Sequence, residues 1–170
     1  RGNLLTVTDP EGNVTTHTYS AQGYRLTTTD ARGNTTTFEY NAFGDMTKQT
    51  DPLGNEIRYT HDDNGNVLTE VHVWNAPGGN QNLTTQFEYD GNDNVVREVD
   101  PLGNEELMTY NGNQRVVSKT DKLGRVTENE YDAQGRIATI THPDGTTETF
   151  EYDAEDRMTA KTDRAGRTTT

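Results

Sequence analysis

Asp51-Pro52-Leu53-Gly54-Asn55 decides the fold, because Asp first, Pro second and Gly fourth suit a type I turn closed by a left-handed glycine. Such a loop joins two antiparallel strands and leaves a G1 bulge at the glycine. The pattern recurs. Asp9, Asp30 and Asp51 stand 21 residues apart, as do Gly12, Gly33 and Gly54, and Tyr19, Tyr40 and His61, the last in a tyrosine's place. After an interruption the interval resumes through Asp100, Asp121, His142 and Asp163. Gly103, Gly124, Gly145 and Gly166 accompany them, with Tyr89, Tyr110, Tyr131 and Tyr152, and Pro101 repeats Pro52. Units therefore begin near residues 2, 23, 44, 65, 93, 114, 135 and 156 of one array covering 1–170.

Each unit carries a second turn, as in Tyr131-Asp132-Ala133-Gln134-Gly135-Arg136, again with Asp first and Gly fourth. Six or seven residues lie between turns, rich in Thr, Val, Tyr and Phe, and Thr35-Thr36-Thr37-Phe38-Glu39-Tyr40 is typical. None of these segments has helix length. The spacing predicts an all-β chain, a repetitive antiparallel meander of about 15 strands, wide enough that it should curve. The hydrophobic fraction of 28% and mean hydropathy of -1.02 would by themselves signal disorder. Disordered chains do not hold Gly, Tyr and Asp in register over 170 residues, so the pattern outranks the average.

The turns also predict which side chains meet. Tyr131 should face Ile137, and likewise Tyr40 Met46, Tyr89 Val95, Tyr110 Val116 and Tyr152 Met158. Continuing the same alternation pairs Phe38 with Lys48, Phe87 with Arg97 and Phe150 with Ala160. On the other face it pairs Glu39 with Thr47, Glu88 with Val96, Glu130 with Ala138 and Glu151 with Thr159. Around the opening turn, Ile57 and Val71 should share a face with His61 and Val67. The unit from 65 to 92 carries seven extra residues, which predicts an extended loop over 72–82 holding Trp74, the one tryptophan.

A net charge of -13 and a pI near 4.6 repel phosphate and anionic lipid, which argues against nucleic-acid and membrane-surface partners. No apolar run approaches transmembrane length, and no cysteine is present for a disulfide or a thiolate zinc site. His17, His61, His72 and His142 are the candidate metal ligands or bases, yet each falls in a repeat slot. His61 replaces Tyr, His72 and His142 replace Asp, and His17 stands where Phe38 or Phe150 stands. The serines, Ser20 and Ser118, are also slot residues, so no catalytic residues, cofactor or metal are expected. Calcium needs about six to eight oxygens, whereas each turn offers one Asp and an Asn. The turn aspartates are better explained as caps for backbone N–H groups of their own turn, Asp62 and Asp153 included. Asn13, Asn34 and Asn82 fit the glycosylation sequon, and two of the three are repeat turn residues.

The alternation of Gly135-Arg136-Ile137, of Thr50 to Asn55 and of Tyr131 to Gly135 resembles the YD repeats, also called RHS repeats, over essentially the whole chain. The resemblance implies a spiralling β-sheet that closes into a hollow shell, as in bacterial polymorphic toxins, the C components of insecticidal toxin complexes and the teneurins. It implies a structural, encapsulating segment, a wall around a toxin or other cargo of the same parent, joined to adjoining repeats in a larger secreted or cell-surface bacterial protein. The family's autoproteolytic core is not recognisable, and Asp51-Pro52-Leu53-Gly54 and Asp100-Pro101-Leu102-Gly103 sit in ordinary repeat register. The alternative is an adhesion module for carbohydrate or a cell-surface partner, suggested by Phe38, Phe87 and Trp74 and by the teneurin branch. Open sheet edges near Leu4 and Arg167 also predict self-association.

Overall fold

The computed structural model describes residues 2–75, 79 and 81–170. It divides into two compact units, one up to Gln86 and one from Phe87 onward. The first contains β1 (Thr6–Thr8), β2 (Val14–Tyr19), β3 (Arg25–Thr29), β4 (Thr35–Tyr40), β5 (Met46–Thr50), β6 (Glu56–His61), β7 (Val67–Trp74) and most of β8 (Gln81–Tyr89). The second contains β9 (Val95–Val99), β10 (Glu105–Tyr110), β11 (Val116–Thr120), β12 (Val126–Tyr131), β13 (Ile137–Thr141), β14 (Thr147–Tyr152), β15 (Met158–Thr162) and β16 (Thr168–Thr169). The strands run antiparallel, each hydrogen-bonded to its sequence neighbours. The described residues hold sixteen strands against about 15 expected, because Thr168–Thr169 still pairs with Lys161 and Thr162.

The turns follow the sequence reading. Gly54 N–H donates to the Asp51 carbonyl at 3.0 Å, Asp51 N–H donates to the Asn55 carbonyl at 2.9 Å, and Gly54 has φ of 82°. That is the three-residue hairpin loop with its left-handed glycine. The glycine slot at 93, 114 and 156 is filled by Asp93, Gln114 and Asp156, which hold φ of 62°, 59° and 64°. A left-handed non-glycine residue costs on the order of 1 kcal/mol, less for Asp than for Gln. Gln114→Gly is therefore expected to raise the melting temperature by about 1–3 °C. Asp156→Gly should bring no gain, because Asp156 carries an ion pair to Arg136 at 2.7 Å. Calorimetry of the two variants checks both.

Four of the tyrosine pairings stand as expected: Tyr40 with Met46, Tyr110 with Val116, Tyr131 with Ile137 and Tyr152 with Met158. The pairings further along do not. Every tyrosine hairpin with a described register carries a second β-bulge beside the first pair, which leaves Leu26, Thr47, Leu68, Val117, Ala138 and Thr159 without an opposite residue. One inserted residue exchanges the faces of all that follows. Phe38 therefore faces Gln49 and not Lys48, and Phe150 faces Lys161 and not Ala160. Glu39 faces Lys48, Glu130 faces Thr139 and Glu151 faces Ala160, in place of Thr47, Ala138 and Thr159. Arg97 donates to Glu88. Val71 faces Arg58, so it is His72 that joins Ile57 on the face of His61 and Val67.

Each unit thus has a tyrosine face and a threonine face. In the first unit Thr18, Thr27, Thr37 and Thr50 form one cross-strand row, and in the second Thr139, Thr149, Thr162 and Thr168 form another. Their hydroxyls bond across the strands, as Thr18 to Thr27 at 2.7 Å and Thr162 to Thr168 at 2.9 Å. Along β12 the threonine-face positions are exposed and the tyrosine-face positions half-buried. Val73, at 4% exposure, is the single buried hydrophobic among the described residues, so this fold is held by ladders, turns and face pairs more than by a core.

The seven extra residues do not form the loop expected over 72–82. Val73 pairs with Asn82 and Trp74 with Gln81, so β7 and β8 lengthen instead. His72 sits in the middle of a strand opposite Ile57, not in an Asp turn slot. The β-branched and aromatic run Val71-His72-Val73-Trp74 explains the difference, since it favours a strand over a loop. Residues 76–78 and 80, part of that predicted loop, lie outside the described residues.

Candidate functional site

The recurrent device is the aspartate turn. Asp51 Oδ1 accepts the backbone N–H groups of Leu53 and Asn55, both at 2.8 Å, and Oδ2 accepts Asn55 Nδ2 at 2.7 Å. Ten first-position aspartates among the described residues cap their turns in this way: Asp9, Asp30, Asp51, Asp62, Asp90, Asp100, Asp121, Asp132, Asp153 and Asp163. In the second unit arginine replaces asparagine at the fifth position of several turns, and Nε of Arg125, Arg136 and Arg157 each reaches its aspartate at 2.7 Å. Hydrogen bonds made only by the ionised form hold these carboxyls below their ordinary range. Asp100 lies at about 2 through the Asn104 side chain first, and Asp121 at about 2 through the Arg125 side chain first.

The tyrosines join neighbouring units. Tyr19 hydroxyl donates to the Leu4 carbonyl at 2.9 Å, Tyr40 to Arg25 at 3.0 Å and Tyr110 to Val95 at 2.8 Å. Tyr131 donates to Val116 at 2.8 Å and Tyr152 to Ile137 at 3.0 Å. Each bond spans 15 residues, and Arg25, Val116 and Ile137 each stand at the start of a bulged strand, where the ladder is interrupted. At these three bulges the hydroxyl satisfies a carbonyl where the ladder is interrupted. The rings are covered as well: Tyr24 stacks on Tyr40 at 5.1 Å, and the Arg115 and Arg136 guanidinium groups lie 5.8 and 4.5 Å from the Tyr131 and Tyr152 ring centres. Burial pushes the Tyr110 phenol up, which keeps its proton on the donor.

Close approach adds a second demand on one turn glycine. A Cβ built on Gly44 would run into the Tyr24 hydroxyl, so that glycine is needed for space as well as for its φ of 100°. Sequence reasoning missed this stacking of fifth-position residues on the next unit. Its signal was the recurrence of a bulky or polar residue 16 positions before each slot tyrosine, as Tyr24 before Tyr40 and Arg136 before Tyr152.

The predicted residues do not converge. Turn aspartates and glycines line the edges, the tyrosines lie in rows beside one edge, and no group of His, Asp and Glu among the described residues could hold a metal ion. His17 Nδ1 lies 3.0 Å from Thr28 Oγ1, His72 Nε2 lies 2.5 Å from Glu70 Oε1, and His142 Nε2 lies 3.3 Å from Glu148 Oε1. His61, in the tyrosine slot, leaves Nδ1 buried without a hydrogen-bond partner. Asn13 and Asn34 use their side-chain amides on Asp9 and Asp30, each at 2.8 Å, and Asn82 lies in β8.

The extended hairpin adds a local feature. Asn75 donates its side-chain amide to the Gly54 carbonyl at 3.0 Å and its N–H to Asn55 Oδ1 at 3.1 Å, which fastens the end of β7 over the Asp51 turn.

Among solved structures, the crystal structure of TcdB2-TccC3 superposes on 90% of this chain with a TM-score of 0.75 at 16% identity. That of TcdB2-TccC3-Cdc42 superposes on 88% with a TM-score of 0.71 at 17% identity. The chain spans 9% of each, and identities this low speak for the fold alone. No curated protein sequence matches. The RHS Repeat family model matches residues 1–35, 25–56, 40–77, 110–147 and 131–168, more than half of the chain and in the same repeat spacing that the turns set. This chain belongs to the RHS-repeat family, in which it is a structural repeat segment.

Proposed function

We propose that the chain is a length of wall in an RHS shell that encloses a toxin or other cargo polypeptide of the same parent, in a larger secreted or cell-surface bacterial protein. The observation that carries this reading is the unbroken strand order, in which every strand pairs with its sequence neighbours and every described tyrosine hairpin is bulged alike. Membership of the RHS-repeat family and the fold shared with TcdB2-TccC3 support it. The role is mechanical and not catalytic: backbone ladders, aspartate caps and tyrosine bonds exclude solvent and proteases over an area, and no single residue performs a reaction.

The test is limited proteolysis of the full-length parent. Its cargo segment is expected to survive far longer than the same segment expressed alone. Equal rates of digestion would overturn the reading.

A further inference from the structure

The lengthened hairpin brings Trp74 to the wall of a pocket beside the Asp51 turn. On the tyrosine face Gln49, Ile57 and His72 form one cross-strand row, and Trp74 follows two residues after His72. The Trp74 and His72 rings lie 5.9 Å apart at 32°, and with Asp51 and Asn55 they line an open pocket of about 150 Å³. A cavity of that size takes a single six-membered ring.

Its walls are fixed before any ligand arrives. Asn75 bonds to Gly54 and Asn55 at 3.0 and 3.1 Å, and His72 is held on Glu70 at 2.5 Å. Asp51 is committed to its own turn. Other polar groups are available: the Gln49 amide and the Trp74 indole N–H make no hydrogen bond among the described residues. Trp74 is 44% exposed.

We propose that this pocket binds one pyranose ring of a carbohydrate. The ring's C–H face packs on the indole beside Ile57, and its hydroxyls bond to the Gln49 amide, which both gives and accepts. An anion is repelled by Asp51 and Glu70, and an aliphatic ligand would leave Gln49 unpaired. Asp51 is spent on its own turn and Glu70 on His72, which favours a neutral ligand over a cationic one. The site is independent of the shell reading, so either can fail without the other.

Because Trp74 is the only tryptophan, its emission reports on the pocket directly. Titration with N-acetylglucosamine, glucose, galactose and mannose should give a saturable change with at least one, with Kd on the order of 1 mM. Gln49→Ala should weaken that binding about tenfold with the far-UV spectrum unchanged. Trp74→Ala, followed by calorimetry, should abolish it. No saturable change with any of the four sugars, indifference to Gln49→Ala, or saturation by arginine amide alone would each overturn the proposal.

Discussion

Between about pH 4 and pH 2 the melting temperature of this chain is expected to fall by about 10 °C or more, after staying nearly level from about pH 8 to pH 5. The sign follows from the aspartate turns. Asp100, Asp121 and Asp144 have folded-state values of about 2 against an ordinary 3.8. Asp9, Asp30, Asp51, Asp62, Asp90, Asp132, Asp153 and Asp163 are lowered as well. A carboxyl lowered by folding stabilises the fold fully above its unfolded value, and loses that contribution as pH falls toward its folded value. The window is therefore set by aspartate.

No single turn dominates, since each is exposed and each effect modest; the size comes from repetition along the array. Asn41 and Asn111 provide internal controls. Their Oδ1 atoms cap backbone N–H groups as the aspartates do, Phe43 at 2.9 Å and Asn113 at 2.9 Å, but an amide does not titrate in this range. Hydrogen exchange on acidification should open the Asp100 and Asp121 turns before the Asn111 turn between them in the array. A melting temperature that stays level down to pH 2, or an Asn111 turn that opens first, would remove the aspartate caps as the cause.

Much of this was legible in the sequence because it depends on turn chemistry, which is local. Asp, Pro and Gly at fixed offsets define the hairpin loop with no knowledge of what surrounds it, and so the strand order followed. The second bulge was not legible. Nothing about Val117 or Ala138 marks it as the residue skipped, since the carbonyl beside it is met by a tyrosine hydroxyl arriving from another strand. An alternation counted from the turn alone goes out of phase there, and Phe38, Glu39 and Val71 were assigned wrong partners for that reason. The insertion failed differently. Its length suggested a loop, while Val71, Val73 and Trp74 carried strand propensity that outweighed the length argument. His61 could be placed in the tyrosine slot from spacing, but the loss that goes with it, a buried nitrogen without a partner, required the geometry.

That loss leads to the second large expected effect, a pair of substitutions of opposite sign. Tyr131→Ala removes a half-buried ring, its guanidinium contact with Arg115 and the hydroxyl on the Val116 carbonyl, which together should destabilise by about 3 kcal/mol. Tyr131→Phe keeps the ring and should cost about 1 kcal/mol, the net worth of one hydrogen bond, so ring burial is the larger part. His61→Tyr runs the other way. Met46 holds the place relative to residue 61 that Val116 holds relative to Tyr131, and a hydroxyl at 61 would reach its carbonyl while the orphaned Nδ1 disappears. Relief of a buried unpaired polar atom plus one new bond should stabilise by about 1–2 kcal/mol, a rise of about 2–8 °C in melting temperature. Because each hairpin touches only its neighbours, Tyr131→Ala should speed amide exchange in β11 and β12 while β2 to β4 stay protected. If His61→Tyr lowers the melting temperature, or Tyr131→Phe proves as harmful as Tyr131→Ala, the tyrosine hydroxyl and ring do not join the repeats in the way their geometry indicates.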